Sequence, residues 1–420
     1  MDGVNAASRY PLKTLLSILL LNASIQAFSK TIEVGVGQPA QTLKQAITIA
    51  VDGDTIHLQP GTYKEGRIIL TKSLTLLGDH AILDGEKKYE ILVISGKNIR
   101  VKGITFLNAG YSAMNDYAAI KLIDATNILL ENNSIINAYF AIHVSNTTLA
   151  IIRNNKIRGT PSSEQLTGNG IHIWKSRLAL IEYNQVEGHR DGIYFEFVTG
   201  SLIQGNLSEK NIRYGLHFMF SNDDTYKENI FRNNGAGVAV MYSKKVWMER
   251  NHFEMNWGGS SYGILLKDIA DSHIIYNTFL RNTTGIHMEG TSRIMVENNI
   301  FKENGYAIKV QASCNDNNFK YNNFSGNSFD VATNGSLVLN TFDKNHWDKY
   351  EGYDINKDGI GDIPYHPVSL FAMIVEDNPT AMILYRSFTV TLLDKAEKAI
   401  PGLTPENLVD HQPLMKTAKW

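Results

Sequence analysis

The sequence repeats itself at a short and nearly constant interval along most of its length. A small residue followed by alternating apolar residues returns about every 22 residues between residues 119 and 310. A turn asparagine before an apolar residue returns at the same intervals, and the two longer intervals coincide in both series. Patterns that stay in phase across insertions indicate one stacked structural unit. The asparagines are Asn133, Asn155, Asn184, Asn206, Asn229, Asn251, Asn277, Asn299 and Asn323.

A unit of this length predicts one coil of a β-helix. A single coil cannot bury its apolar face, so coils must stack, and stacked asparagines can form a hydrogen-bonded ladder. A propeller blade would need about 40 residues, roughly twice this interval. We predict an all-β fold, a single-stranded right-handed parallel β-helix over residues 30–350 with about 22 residues per coil. Residues 42–47 should form a helix over the first coil, and loops at 160–169 and 257–260 should border a binding face.

The first 29 residues have the composition of a secretory signal peptide. Arg9 precedes an apolar run over residues 15–21, and small residues follow up to Ala27 and Ser29. We predict cleavage before Lys30 and a periplasmic mature chain, with an uncleaved membrane anchor as the alternative. The net charge of −2 gives no basic excess for nucleic-acid binding. The single cysteine, Cys314, excludes an intramolecular disulfide.

The alternation assigns a face to each strand position. The positions one and three after the small residue are aliphatic or Phe and point inward, so positions two and four point outward. The outward positions hold four of the twelve histidines, together with Trp, Tyr and two methionines. Imidazole and thioether together favour Cu(I), because soft sulfur ligands select it. The copper candidates are His172, His217, Met219, Met241 and His287.

Two other interpretations of this column remain open. Exposed aromatic and methionine side chains also suit a protein-binding patch, whereas a plain adhesion solenoid would lack this column. In a carbohydrate-active β-helix, a polysaccharide lyase or epimerase, Glu196 and Glu289 would be the acid and base. Their predicted separation is four coils, about 19 Å, whereas paired carboxylates work within about 10 Å. Asp191 and Glu196 remain a closer candidate pair.

Residues 351–366 form an Asp- and Gly-rich segment after the last coil. Their spacing matches the first nine positions of an EF-hand loop, and Tyr365 replaces the glutamate of the twelfth position. Candidate ligands for Ca²⁺ or Mg²⁺ are Asp354, Asn356, Asp358 and Asp362. A tight turn held by Asp and Asn side chains is the alternative.

Residues 367–420 differ in composition from the coils. Apolar side chains recur at helical spacing, but neither apolar stretch is long enough to span a membrane. We predict a helical segment that docks on a partner protein, with a cap on the open end of the solenoid as the alternative. The candidate docking residues are Leu370, Phe371, Leu384, Phe388 and Leu392.

Several long segments resemble the NosD family of nitrous-oxide-reductase accessory proteins. The resemblance covers nearly the whole mature chain, and motifs of this length are more specific than β-helix patterning alone. The segments are residues 190–197 (RDGIYFEF), 213–221 (RYGLHFMFS), 235–243 (GAGVAVMYS), 310–314 (VQASC), 347–354 (WDKYEGYD), 369–371 (SLF), 403–406 (LTPE), 408–410 (LVD) and 413–415 (PLM).

This resemblance implies a periplasmic, non-enzymatic protein that works with an ABC transporter. The implied partners are a membrane permease, a cytoplasmic ATPase, a copper chaperone and nitrous oxide reductase, whose copper centres are assembled during denitrification. Through the permease the protein would be peripheral to the inner membrane. The resemblance supplies no ligand set, so the copper candidates depend on the outward column.

Overall fold

The computed structural model describes residues 29–112, 114–335, 339–399 and 408–419. The predicted signal peptide therefore lies outside the described residues, apart from Ser29. The described chain forms a parallel β-solenoid in which each complete coil adds one strand to each of three sheets. The sheets contain 12, 14 and 13 strands, and we name them sheet 1, sheet 2 and sheet 3 in that order. The predicted β-helix with short helices near the C-terminus is confirmed.

Sheet 1 carries the outward column predicted from the sequence. Its strands are Ile68–Leu70, Leu92–Ile94, Ala118–Ile123, Phe140–Ser145, Ile171–Trp174, Ile193–Glu196, Tyr214–Met219, Ala236–Met241, Tyr262–Lys267, Thr284–Glu289, Tyr306–Val310 and Phe329–Thr333.

Sheets 2 and 3 complete each coil. Sheet 2 contains Thr31–Val34, Thr55–Leu58, Thr75–Gly78, Lys97–Lys102, Thr126–Glu131, Thr148–Arg153, Leu180–Glu182, Leu202–Gln204, Thr225–Lys227, Trp247–Glu249, His273–Ile275, Met295–Glu297, Asn315–Lys320 and Leu339–Asp343. Sheet 3 contains Gly61–Tyr63, Ala81–Asp84, Thr105–Leu107, Ser134–Ile136, Lys156–Arg158, Gln185–Glu187, Leu207–Glu209, Ile230–Arg232, His252–Glu254, Thr278–Leu280, Ile300–Lys302, Asn323–Ser325 and His346–Trp347.

The predicted N-terminal helix is present and closes the first coil. Helix α1 spans Leu43–Ile49 and begins with a capping box in which Thr42 and Gln45 satisfy each other's backbone N–H groups. Leu43 and Ala46 are buried against the core. The helix therefore covers an apolar edge that would otherwise face water.

Stacked aromatic rings fill the C-terminal half of the core. Six side chains contributed by sheet 3 lie one above another, with centroid separations of 5.5, 4.8, 4.8, 4.9 and 4.1 Å. Each of the six side chains is at most 1% exposed. Identical contacts in successive coils hold the register of the stack. The side chains are Phe231, Phe253, Phe279, Phe301, Phe324 and Trp347.

The predicted asparagine ladder runs along the turn between sheets 2 and 3. Each rung accepts hydrogen bonds from the backbone N–H and the side-chain amide of the preceding rung, as Asn277 Oδ1 does from Asn251 at 2.8 and 3.0 Å. Each side-chain amide also donates to a backbone carbonyl in the coil before it. The rungs are Asn133, Asn155, Asn184, Asn206, Asn229, Asn251, Asn277, Asn299, Asn322 and Asn345.

One predicted rung was wrong, and a second ladder was missed. The rung after Asn299 is Asn322 rather than Asn323, because Asn322 precedes the strand while Asn323 is its first residue. Asn323 instead pairs with the backbone of Ala418. The second ladder follows the turn between sheets 3 and 1, and its rungs are Asn211, Asn234, Asn256, Asn282, Asn304 and Asn327.

The chain after the last coil folds back onto the solenoid. Helix α2 spans Leu370–Asp377, a 3-10 helix spans Pro379–Leu384, and helix α3 spans Phe388–Ala399. Residues 408–419 then return to the last coils through bridges from Asp410 to Phe342 and from Leu414 to His346. Residues 408–419 therefore cap the last coils without forming a helix, whereas the alternative to docking was a cap made by helices.

A buried carboxyl group on the turn between sheets 1 and 2 should make stability depend on pH. Asp224 is 1% exposed, its Oδ1 accepts from the Ser201 N–H at 2.8 Å, and its Oδ2 has no hydrogen-bond partner in the described structure. Burial raises the pKa of Asp224 to about 8. The folded state therefore keeps its proton at pH values where the unfolded chain has released it.

We expect wild-type stability to fall as pH rises from about 4 to about 8, by at most about 1.4 kcal/mol per pH unit. Asp224→Asn preserves the shape and removes this ionisation, so its stability should exceed that of wild type increasingly toward pH 8. Urea denaturation at pH 5 and pH 8 measures the difference. A constant difference between the two proteins at both pH values would contradict the prediction.

Candidate metal centre

The strand register of sheet 1 aligns the outward side chains in two parallel rows, as the repeat predicted. We call the first the imidazole row, and its successive members are Lys121, His143, His172, Tyr194, His217, Ala239, Leu265, His287 and Lys309. We call the second the thioether row, and its members are Ser145, Trp174, Glu196, Met219, Met241, Lys267 and Glu289.

Much of the imidazole row is buried although it points away from the core. His143 and His217 are each 5% exposed, and Tyr194 is 9% exposed. The cover comes from aromatic residues at the starts of the strands. Phe140 contacts the ring of His143 with centroids 5.5 Å apart, and Tyr214 contacts that of His217 at 4.9 Å. The outer face is therefore a partly dry groove rather than a solvated surface.

Four consecutive members of the imidazole row are in direct ring contact. The centroid separations are 4.9 Å from His143 to His172, 4.8 Å from His172 to Tyr194, and 4.7 Å from Tyr194 to His217. These distances follow the coil spacing of the sheet. The row thus forms a continuous line of aromatic and imidazole rings along the solenoid axis.

His217 is oriented by a buried carboxylate from the preceding coil. Its Nδ1 lies 3.4 Å from Oδ2 of Asp191, which is 1% exposed. Arg213 lies 3.6 Å from the other oxygen of Asp191 and 3.3 Å from Glu164 of the inserted loop. A carboxylate that accepts from Nδ1 leaves the lone pair on Nε2, the arrangement typical of metal-binding histidines. His217 Nε2 is shielded from solvent and has no hydrogen-bond partner among the described residues.

Met219 and Met241 lie in adjacent coils at the same register position, beside His217. Met219 is two residues from His217 on one strand, and Met241 pairs with it across the sheet. Both methionines are partly exposed. The Tyr194 hydroxyl donates to Met219 Sδ at 3.6 Å. We call His217, Met219 and Met241 the thioether cluster.

A second group of imidazoles lies at the other end of the ring line. His143 and His172 border a cavity of about 360 Å³ that is also lined by Asp116, Lys121, Ile123, Ser145, Trp174 and Glu196. His143 Nδ1 and both ring nitrogens of His172 are shielded from solvent without a hydrogen-bond partner in the described chain. Burial lowers the pKa of His143 to about 4 and that of His172 to about 3. Both rings are therefore neutral at neutral pH.

The structure does not bring the five copper candidates to one point. His172 is separated from His217 by Tyr194, and His287 is separated from His217 by Ala239 and Leu265. His287 packs against Tyr262, with ring centroids 4.9 Å apart. A single ion cannot contact all five side chains, because neighbouring coils are about 4.8 Å apart. Within the described ranges, no three His, Cys, Asp or Glu side chains are grouped to hold a metal.

The acidic candidates for sugar chemistry are dispersed. Glu196 and Glu289 occupy the thioether row with Met219, Met241 and Lys267 between them, so they lie four coils apart. Asp191, the closer candidate partner of Glu196, is held by Arg213 and His217 instead. Neither of these two candidate pairs therefore provides two exposed carboxylates at catalytic separation.

The Asp-rich loop is satisfied by its own backbone. Asp354 accepts from the N–H groups of Asp358 and Gly359, and Asp362 accepts from that of Ile355. Asn356 and Asp358 bond each other through their side chains. These contacts are those of the Asx-rich turn that was the alternative. Binding of Ca²⁺ or Mg²⁺ here stays a prediction.

The docking candidates divide into an inner and an outer set. Phe371 is 4% exposed and packs against Phe329, with centroids 6.0 Å apart, and Leu370 is partly exposed. Leu384, Phe388 and Leu392 are exposed by 45, 81 and 57%. The inner set attaches the helices to sheet 1, and only the outer set is free to contact a partner.

Sequence reasoning missed an exposed aromatic stack beside the thioether row. Phe197, Phe220 and Tyr242 follow Glu196, Met219 and Met241 in the chain, and their rings stack at 5.1 Å. Each has a positive φ near 50°, which is unusual for bulky residues. The sequence contains a signal for this stack: in three successive coils an aromatic residue directly follows the member of the thioether row.

Comparison with known proteins agrees with this architecture over most of the chain. Residues 153–358 match the family model described as "Periplasmic copper-binding protein (NosD)". A protein of Stutzerimonas stutzeri named "Probable ABC transporter binding protein NosD" is 29% identical, and the alignment covers 90% of this chain and 91% of that protein. A protein of the same name from Pseudomonas aeruginosa is 28% identical, covering 88 and 90%. The chain is similar to proteins of the NosD family along most of its length.

Solved structures share only the fold with this chain. An exopolygalacturonase of Yersinia enterocolitica aligns with a TM-score of 0.52 at 12% identity, covering 75% of this chain and 78% of that one. The Dettilon tailspike protein aligns with a TM-score of 0.51 at 12% identity, covering 69 and 62%. At this identity the likeness extends to the solenoid and carries no information about chemistry.

The described helices of this chain are short. None of those between residues 29 and 419 has the length and apolar character needed to cross a membrane.

Proposed function

We propose that this protein is a periplasmic accessory protein that carries Cu(I) on the outer face of sheet 1 and works with an ABC transporter in the maturation of nitrous oxide reductase. The family description supports copper and the periplasm, and the names of two relatives support the transporter. The sequence resemblance supports the reductase as recipient and a copper chaperone as donor. On this proposal copper is cargo, and the protein is not an enzyme.

The observation that carries the proposal is the thioether cluster. Two thioethers from adjacent coils lie in the row next to an imidazole whose Nε2 has no partner in the described structure. Soft sulfur with imidazole favours Cu(I) over harder ions. Asp191 holds His217 from the opposite ring nitrogen and so fixes the orientation of the ligand. Partial exposure of both methionines leaves the cluster accessible to a donor and a recipient.

Removal of the two thioethers should weaken copper binding. We expect the double variant Met219→Ser/Met241→Ser to bind Cu(I) at least about tenfold more weakly, since even loss of an outer-shell partner costs about 10–100-fold. Competition against a colorimetric Cu(I) chelator measures the affinity of the mature protein. Met255→Ser is the matched control, because Met255 is 38% exposed and lies on another turn. Unchanged affinity in the double variant would remove the thioether cluster from the proposal.

We further propose that the outer set of the C-terminal helices docks on the transporter permease. The inner residues Phe371, Val375 and Val390 cluster with Phe329 and hold the helices against sheet 1. Lys309 at the end of the imidazole row forms an ion pair with Glu376 of α2. Ile383 and Phe388 are 89 and 81% exposed, an apolar surface suited to a protein partner. Docking here would place the outer face of sheet 1 close to the membrane complex.

Substitution of the outer set should abolish co-purification of the permease without unfolding the chain. We expect Phe388→Ser/Leu392→Ser to lose the permease, because both side chains are exposed and support no described packing. Ile49→Ser/Ile69→Ser is the matched control, with two residues 53% exposed at the other end of the solenoid. Truncation is unsuitable, since it would also delete the cap formed by residues 408–419. Retention of the permease by the outer-set variant would contradict the docking proposal.

A further inference from the structure

The imidazole pair at the cavity carries nitrogen atoms that the fold leaves without partners. His143 and His172 occupy the same register position in adjacent coils, and their ring centroids are 4.9 Å apart at an interplanar angle of 83°. Three of their four ring nitrogens are shielded from solvent and unbonded within the described chain. The fourth, His143 Nε2, lies 4.0 Å from Asp116. Buried polar atoms without partners destabilise the fold, so a ligand that uses these atoms would be favoured.

We propose that His143 and His172 form a second Cu(I) site, separate from the thioether cluster and reached through the adjoining cavity. This inference rests on the proposed function, because it takes Cu(I) as the cargo. The two rings supply neutral nitrogen donors without any sulfur. Cu(I) accepts low coordination numbers, which a two-imidazole site in a dry setting provides. Zn²⁺ and Ca²⁺ would need further ligands, and the described residues group no third His, Cys, Asp or Glu there.

The cavity gives this pair an entrance of suitable chemistry. Its volume of about 360 Å³ admits a hydrated ion or the ligand loop of a donor protein. Asp116 is 62% exposed on its side chain and lies nearest to His143, where it would attract a cation. The imidazole nitrogens behind it are a ligand type that copper accepts.

Tyr194 connects the two sites along the imidazole row. Its ring contacts His172 at 4.8 Å on one side and His217 at 4.7 Å on the other. Its hydroxyl group reaches Met219 Sδ of the thioether cluster. Two coil steps, about 10 Å, therefore separate His172 from His217. The row offers a nitrogen-only site near the cavity and a mixed nitrogen and sulfur site beyond it.

The experiment counts copper and identifies its ligands in the full mature protein. Wild type should bind two equivalents of Cu(I) in a competition titration. His143→Phe/His172→Phe, which keeps the ring packing but removes the donors, should bind one. Met219→Ser/Met241→Ser should lose the other. X-ray absorption should report copper with nitrogen neighbours and no sulfur in the methionine variant, and copper with sulfur in the histidine variant.

The possible outcomes separate the inference from the proposed function. Two equivalents in the histidine variant, or a single sulfur-containing site in wild type, would overturn the second site and leave the thioether cluster intact. Absence of any bound Cu(I) in wild type would overturn both. If the histidine variant does not fold, X-ray absorption of wild type loaded with one and with two equivalents of Cu(I) still tests the second site. A second site requires that part of the bound copper has no sulfur neighbour.

Discussion

Replacing Asn277 by alanine is expected to lower the free energy of unfolding by roughly 3–5 kcal/mol. Asn277 accepts two hydrogen bonds from Asn251 and donates to the carbonyl oxygens of Met248 and Ile275. Alanine would leave the Asn251 donors and the Met248 acceptor buried without partners, at about 1–3 kcal/mol each. The rung lies in the middle of the ladder, so the loss should divide the solenoid into two unfolding units. Urea denaturation followed by circular dichroism measures both effects.

Two further variants separate hydrogen bonding from side-chain volume. Asn277→Asp keeps the acceptor oxygen but sets a second oxygen against the Met248 carbonyl, so it should also be strongly destabilising. Asn318→Ala is the control, because Asn318 lies on a strand of sheet 2 outside the ladder, and its change should stay within about 0.5 kcal/mol. Equal effects of Asn277→Ala and Asn318→Ala would show that the ladder does not stabilise the fold.

The period of the sequence was enough to predict the solenoid and the strand register. Because the two repeating series of the sequence stay in phase, they show which residues occupy the same position in successive coils. The asparagine ladder and the two outward rows follow from that alignment. The shift from Asn323 to Asn322 was not predictable, because adjacent asparagines both fit the pattern and only the strand boundary distinguishes them. The second ladder was missed because its rungs are not followed by a regular apolar residue.

The chemistry of the outer face depended on contacts that a repeat pattern does not contain. The register placed His217 beside Met219 and Met241, but only side-chain direction reveals that Asp191 faces Nδ1 of His217. Burial of outward histidines likewise depends on Phe140 and Tyr214, which lie at strand starts rather than in the alternating positions. A side chain can point away from the core and still be buried, and the alternation of the sequence indicates only its direction.

The C-terminal segment was the least predictable part, because its contacts are not periodic. Helical spacing of apolar residues from Leu384 to Ala396 predicted one helix, and the structure places all of that stretch except its start in α3. Nothing in that pattern indicates that Asp410 returns to Asn345 and Trp347, more than sixty residues earlier. Asp410 occupies the place where the next asparagine rung would be, and a carboxylate can end the ladder because it accepts hydrogen bonds without needing to donate any.

Replacing Asp410 by alanine is therefore expected to release the C-terminal cap and to destabilise the last coils by about 3–5 kcal/mol. Its side chain is fully buried and accepts five hydrogen bonds, from the backbone and amide of Asn345, from Trp347 Nε1, and from the N–H groups of Lys344 and Gln412. Alanine would leave all five donors unsatisfied. Hydrogen exchange should accelerate at Lys344–Trp347 and over residues 408–419, while the N-terminal coils keep their protection.

Asp410→Asn should release the cap as well. Both carboxylate oxygens accept hydrogen bonds, and an amide would point its N–H₂ group at other donors. Asp377→Ala is the matched control, because Asp377 is an exposed acid at the end of α2, where its loss is nearly neutral. If Asp410→Ala exchanged as slowly as Asp377→Ala across the last coils, the cap would not depend on the carboxylate. If only Asp410→Asn retained full protection, hydrogen bonding by a single oxygen would be sufficient to end the ladder.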